Sequence, residues 1–312
     1  MGQSIGWQMQ LKKLGHPAWS PDKVLDRWGN DGLAIYNAGG GTVYDYEDEL
    51  YGEKGFMNNT RVSVGGGNDK TSYYAGFTYR DDEGIVKHTG YQKTSYRMNL
   101  DQKVAKFLEL NLNANYVESE SDRGYFNNDN TTTSMGVSYA LTPVWVSLFP
   151  DANGNYPDNP LLPSNFLQTR DLITNREDVN RLLLGGRATV KLYNSQKHDV
   201  KAIVLGGIDY YTLSTTAIFP RELQFQKGGL GTNGASIQGT TKTRNSNVSA
   251  ILVYDFTPGS DLRFTTQAGI NAFNVDLNTV ISTATQLVGT QTNIDQAGAI
   301  QVDQNRVLSK DR

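Results

Sequence analysis

Few side chains in this chain have the types and spacing that covalent chemistry needs. The three histidines, His16, His88 and His198, stand apart, with no second ligand at metal-binding spacing. Cysteine is absent, so thiol nucleophiles, zinc–thiolate sites, iron–sulfur clusters and disulfides are excluded together. No serine sits in a G-x-S-x-G elbow. Carboxylates are numerous, but paired acid/base work requires a fixed separation in a cleft, which no spacing here defines. The run Gly229-Leu230-Gly231-Thr232-Asn233-Gly234 spells the G-x-G-x-x-G of a dinucleotide site. That motif works only between a strand and a helix N-terminus, and the flanks here are a polar loop and a Thr-rich strand approach. It reads as loop glycine, and no cofactor is expected.

Asp151, Asn153 and Asn155 alternate as calcium ligands do, but the glycine is misplaced and no bidentate Glu closes the run. They read as a hairpin tip rich in turn formers, so no metal is expected. Asp45-Tyr46-Glu47-Asp48-Glu49 reads as a solvated acidic face. No enzyme activity is expected.

Binding chemistry is better represented. The segment 118–180 carries Tyr125, Phe126, Trp145, Phe149, Tyr156 and Phe166 among Asn, Asp, Thr and Pro. Such a mixture can stack on sugar rings and hydrogen-bond their hydroxyls. A loop of this length must also bury aromatics to hold itself together. For any single ring internal packing is the stronger reading, and for the loop collectively ligand contact is. The candidates are Trp145, Phe126 and Tyr125, with Asn128 and Asp129 as polar neighbours. Trp145 follows Pro143, a position from which it could pack under the loop.

Composition sets the frame that must hold these residues. The 312 residues carry 29 Lys and Arg against 32 Asp and Glu, a net charge of −3, with no clustered basic stripe. Nucleic-acid binding is not expected. Mean hydropathy is −0.50, and no stretch approaches the ~20 apolar residues of a spanning helix. Gly (32) and Tyr (17) favour strands and turns over helices. Met1-Gly2-Gln3 lacks the basic and apolar stretches of a secretory signal, which leaves open a cytosolic chain or one whose beginning lies elsewhere. Residues 1–57, with Trp7, Trp19 and Trp28 among Gly, Pro and Asp, are expected to be irregular.

From Asn58 onward the hydrophobic period is two. In Leu108-Glu109-Leu110-Asn111-Leu112-Asn113-Ala114-Asn115-Tyr116, the Leu, Ala and Tyr side chains share one face and Glu and Asn the other. The same parity runs through Tyr73 to Tyr79, Tyr96 to Leu100, Leu182 to Leu192, Val200 to Tyr210, Val248 to Phe256 and Leu262 to Ile270. With a first strand near Arg61, eight strands are expected. Alternation alone does not separate a lipid-facing barrel from a soluble or surface-attached carbohydrate-binding β-sandwich. Loop lengths do. Odd-to-even connections are tight, such as Gly66 to Lys70, whereas even-to-odd ones are long, including 118–180 and 212–244. Short turns at one end and long loops at the other are how transmembrane barrels are built. Tyr79, Tyr96, Tyr116 and Tyr210 would form one aromatic girdle, and Tyr73, Phe107, Tyr254 and Phe256 the other.

The run from Asn59 to Tyr74, with Asp82-Glu83-Gly84-Ile85-Val86, closely resembles early barrel strands of the SusC/RagA family of TonB-linked outer-membrane transporters. Ser95 to Asp101, Leu110 to Tyr116 and Gln224-Phe225-Gln226-Lys227 continue the resemblance, which covers most of the chain from Asp45. It implies an all-β fold: an antiparallel up-and-down transmembrane β-barrel segment, about eight strands of a plugged barrel of about 22. Residues 58–312 would be the barrel part. The family's signal sequence, plug and TonB box are not in the chain, which is expected to be an internal segment. The implied setting is the bacterial outer membrane. The implied cargo is an oligosaccharide, or less readily a peptide. The implied partners are membrane lipid, a SusD-like surface lipoprotein and, through parts outside this chain, the TonB-ExbB-ExbD complex.

Overall fold

A computed structural model describes residues 19–126, 130–227, 231–289 and 292–311. Nine strands follow in order: β1 (Met57–Gly67), β2 (Thr71–Glu83), β3 (Gly90–Ala105), β4 (Leu108–Asp122), β5 (Thr174–Asn194), β6 (His198–Phe219), β7 (Ala235–Phe256), β8 (Phe264–Leu287) and β9 (Ala297–Asp311). Each pairs antiparallel with the next, giving one up-and-down sheet in sequence order. Four helices flank them: α1 (Pro21–Ala38), α2 (Tyr46–Tyr51), α3 (Met135–Leu141) and α4 (Phe166–Leu172). None of the described helices is long and apolar enough to cross a membrane.

The register keeps apolar residues opposite one another. Val62 faces Phe77, Phe77 faces Tyr96, Tyr96 faces Tyr116, Tyr116 faces Leu182 and Leu182 faces Tyr210. A slip of one residue would turn each set to the other side, so this pairing preserves one continuous apolar surface. That surface is open: Met98 is 63% exposed and Ile270 77%. The opposite surface is polar and charged. Arg181 pairs with Asp209 at 2.7 Å, Lys191 with Glu109 at 2.8 Å, and Asn111 donates to Asp101 at 2.7 Å. The described strands form one nine-stranded sheet, open on both faces among the described residues.

Connections alternate in length as expected. At the β1–β2 turn, Asn68 Oδ1 accepts the amides of Lys70 and Thr71, both at 2.9 Å. Asn and Asp side chains cap turns in this way, which sets a register with few residues. At the other end run residues 84–89, 123–173, 220–234 and 288–296.

The described residues form nine strands, where about eight were expected. Two expectations need correction. Strands extend beyond their periodic segments, so the two long connections are 123–173 and 220–234 rather than 118–180 and 212–244. β6 and β7 have 22 residues each and β8 has 24, against the ~9–11 needed to cross a bilayer. Where strands project past an apolar medium both faces meet water, alternation fades, and only backbone pairing continues. Residues 19–57 are not irregular throughout, because α1 and α2 lie there. Ser20 Oγ accepts the Lys23 amide at 3.4 Å at the start of α1, with Pro21 in the first turn. Gly29, at φ 69°, interrupts that helix. Asp45 caps α2 through the Asp48 amide at 3.1 Å.

Candidate functional site

At the long-loop end, residues 19–56 and 123–173 condense into one module with its own core. Trp145 is at its centre, 1% exposed. The Trp28 ring meets it edge-on at 5.3 Å and the Tyr36 ring at 5.7 Å, while Trp19 packs on Trp28 at 4.8 Å. Edge-to-face contacts of this kind add to the area they bury. Tyr46 sits between Phe149 and Phe166, donates its hydroxyl to Val146 O at 2.5 Å and accepts the Leu148 amide at 2.9 Å. Burial raises its pKa, and burial pushes the Tyr139 hydroxyl up to about 12.

Polar clamps hold the module together. Asn165 Oδ1 caps α4 through the amides of Leu167 and Gln168, while its Nδ2 donates to Leu148 O and Pro157 O. Arg170, 6% exposed, donates to both the carbonyl and the carboxylate of Glu49, each at 2.8 Å. Its other nitrogens grip Asp171 at 2.6 and 2.8 Å. Burial opposes ionisation of Asp171, but Arg170 and the Tyr156 hydroxyl hold its carboxyl below the usual range. Burial likewise opposes charge on Glu49, which Arg170 and Lys87 keep below its ordinary value. The acidic run at 45–49 is thus a capped helix whose Glu49 docks on α4, while Asp45 and Asp48 stay exposed as expected. The 220–234 connection is stitched on by amides: Gln168 Nε2 donates to Glu222 O, and Gln224 Nε2 donates to Asn159 O and Leu162 O.

Beside the module lies a cleft of about 500 Å³, between the β2–β3 tip and the start of β5. Asp82, Lys87, His88, Tyr91, Arg123 and Asp171 are among its walls. His88 has a left-handed backbone (φ 63°) and places Nε2 3.6 Å from Asp171 Oδ1. A cleft with charges of both signs and an aromatic edge suits a ligand dense in hydrogen-bonding groups.

The sequence candidates divide. Trp145 is interior, where it serves packing, and its Nε1 has no hydrogen-bond partner among the described residues. Tyr125 is half-buried against Phe219 at 5.2 Å. Phe126 is 39% exposed, stacks on Tyr51 at 6.0 Å, and its ring lies over Gly124 of the cleft wall. Asn128 and Asp129 fall outside the described residues. Asp151 spends its carboxylate on the loop itself, accepting the amides of Asn153 at 2.9 Å and Asn155 at 2.8 Å and the Asn155 side chain at 3.2 Å. The described part of the glycine run leads into β7, not a helix, and Gln226 Oε1 accepts the Thr232 and Gly234 amides. Sequence reading did not single out Arg170 or Gln168 and took Glu49 only as part of the solvated acidic run, because the Glu49–Arg170 and Gln168–Gln224 contacts join residues 121 and 56 apart. Gln224 carried a signal only as part of the family-like run 224–227.

An open-faced antiparallel sheet, apolar on one side and charged on the other, with short turns below and a folded loop module above, has the form of a barrel wall. No family model matches the chain. TonB-dependent receptor P26 of Formosa agariphila is 26% identical over 244 residues, 77% of this chain and 23% of that receptor. A structure of the RagAB peptide transporter matches with a TM-score of 0.64 at 15% identity, over 94% of this chain and 37% of that one. The RagAB importer in its "open-open" state matches at 0.58, over 86% of this chain and 30% of that one. The chain is similar to a TonB-dependent receptor and shares its fold with the RagAB transporter structures. It spans about a quarter of the length of that curated relative.

Proposed function

We propose that this chain forms barrel wall and long-loop surface of an outer-membrane, TonB-dependent nutrient importer. The observation that carries this reading is the inverted surface. Tyr96, Met98, Leu112 and Ile208 lie exposed on one side, whereas Arg181, Asp209, Glu109 and Lys191 line the other. In water the arrangement would be unfavourable; around a polar lumen in lipid it satisfies both faces. Transport of this kind makes no covalent bond. The lumen and cleft recognise cargo, and force transmitted through the TonB-ExbB-ExbD complex drives release.

The cargo we assign is an oligosaccharide, delivered with a SusD-like surface lipoprotein. Phe126, half exposed beside a hydrogen-bonding cleft, supports it, since aromatic faces stack on sugar rings. A peptide is the second reading, favoured by the fold shared with the RagAB peptide transporter and by cleft charges of both signs. The test is uptake by cells carrying the parent gene or its deletion, with and without TonB, on separate panels of labelled oligosaccharides and peptides. TonB-dependent uptake of an oligosaccharide lost on deletion is the expected result. Loss confined to peptides would replace the substrate, and no TonB-dependent loss on either panel would overturn the importer reading.

A further inference from the structure

On the face that carries the apolar surface, the limits of the apolar residues drift from strand to strand. They reach Tyr79 on β2, Tyr116 on β4 and Tyr210 on β6, but only Val248 on β7 and Ala272 on β8, and Val248 is paired directly with Ala272. Tilted, staggered strands produce such a drift around a barrel. Immediately beyond Val248 towards the long-loop end, the same parity of β7 carries Ser246, Arg244 and Lys242. Tyr210 faces Arg244, Arg244 faces Asp276, and Asn278 faces both Lys242 and Arg306. The result is a basic cluster, and Lys310 adds a fourth cation opposite Asn274.

Among the described residues Asp276 shares this face with them, and Asp311 lines the larger depression beside Lys310. Arg306 approaches Asp276 at 3.4 Å, while Lys242 and Arg244 are exposed and have no ion pair among the described residues. A depression of about 370 Å³ is framed by Tyr210, Lys242, Arg244 and Arg306. A second, of about 510 Å³, runs from Arg244, Arg306 and Lys310 down to Val248 and Ala272. The corresponding rows of β4 and β5 carry Glu118, Glu120, Asp122 and Asp178 around Arg176, so cation excess is local to β7–β9.

We infer that Lys242, Arg244 and Arg306 bind the phosphorylated headgroup of a lipid in the leaflet at the long-loop end, with its acyl chains lying along Val248 and Ala272. This rests on the lipid-facing reading of the apolar surface. Arg244 and Lys242, two and three rows beyond Val248 on this face, lie at headgroup depth, where anionic headgroups supply counter-charge. Tyr210 supplies the amphipathic ring that belongs at that depth.

The test uses the intact parent transporter, purified in neutral detergent and supplied with diphosphoryl lipid A, the same lipid dephosphorylated, or inorganic phosphate. Lipid retained per transporter is read by native mass spectrometry. Each of Lys242→Gln and Arg244→Gln should weaken retention of the phosphorylated lipid about fivefold, with Arg244→Lys restoring most of it. Lys227→Ala, an exposed cation elsewhere, should change nothing, and melting temperatures should stay within error of wild type. The dephosphorylated lipid should be retained weakly and equally by all variants. Unchanged retention in the Lys242→Gln/Arg244→Gln double variant overturns the site, as does equal retention of both lipids. Inorganic phosphate binding as tightly as the lipid would make it a free-anion site and overturn the lipid assignment. A parent that stays monodisperse in buffer without detergent would instead sink the barrel reading itself.

Discussion

Tyr96 on β3 is 51% exposed and Trp145 in the loop module is 1% exposed, although both are aromatic residues in polar-rich sequence. The wall turns its apolar side chains outward and holds itself together by the strand ladder. The module turns the same residue types inward, around Trp28, Tyr46, Trp145 and Phe166. On the barrel reading proposed above, the difference follows from the surrounding medium. A wall in lipid gains nothing by hiding apolar groups but must pair every backbone amide and carbonyl. A module in water is stabilised by burying rings, and any charge taken inside must be matched, as Arg170 is by Glu49 and Asp171.

The sharpest break of this contrast is Trp145→Ala in the intact transporter. Removing the ring should cost the module about 3–5 kcal/mol. Hydrogen exchange should rise across 21–51 and 135–172 while the amides of β5 and β6 stay protected. Equal loosening of both would show that wall and module are one cooperative unit.

On the wall, Leu112→Arg should cost about 2–4 kcal/mol near the bilayer midplane, and its neighbour Asn113→Arg on the opposite face far less. Denaturant unfolding of the parent in lipid vesicles checks this, and equal costs would contradict the assignment of the two faces.

Acid should separate the regions more gently. Glu49 and Asp171 have folded pKa values below their ordinary ones, so their contribution is complete above the usual carboxylate range and is lost as pH falls through the depressed values. The module should become protease-sensitive as pH falls below the usual carboxylate range, about 4, while the strands remain protected. Loosening on raising the pH from 5 to 8 would reverse the sign and refute the clamp.

The smallest effect is expected at Phe126. Phe126→Ala should leave stability within about 0.5 kcal/mol yet weaken cargo binding by about 0.5–1.5 kcal/mol in calorimetric titration of the transporter with its partner lipoprotein. Unchanged binding would confine recognition to other surfaces.

Much of the wall was legible in the sequence because its information is local. A period of two assigns Leu112 and Asn113 to opposite faces without knowledge of any partner strand, and Asn68 caps its turn by accepting the amides of Lys70 and Thr71, two and three residues on. Legibility ended where a single medium bathed both faces. β9 and the outer halves of β5 to β8 alternate poorly, so strand number and strand length came only from the pairing itself. The site was less legible still. Phe126 and Trp145 looked alike as rings in a polar loop, and only the packing of α1 against 143–149 made one interior and left the other half open. Arg170, Glu49, Gln168 and Gln224 meet across 56 to 121 residues of chain. By itself the sequence determined the two-faced strands and the order of short and long connections, since these depend on neighbours in the chain. Tertiary structure decided which aromatics were buried, which charges were clamped and where four cations gathered, because those depend on groups the chain brings together only by folding.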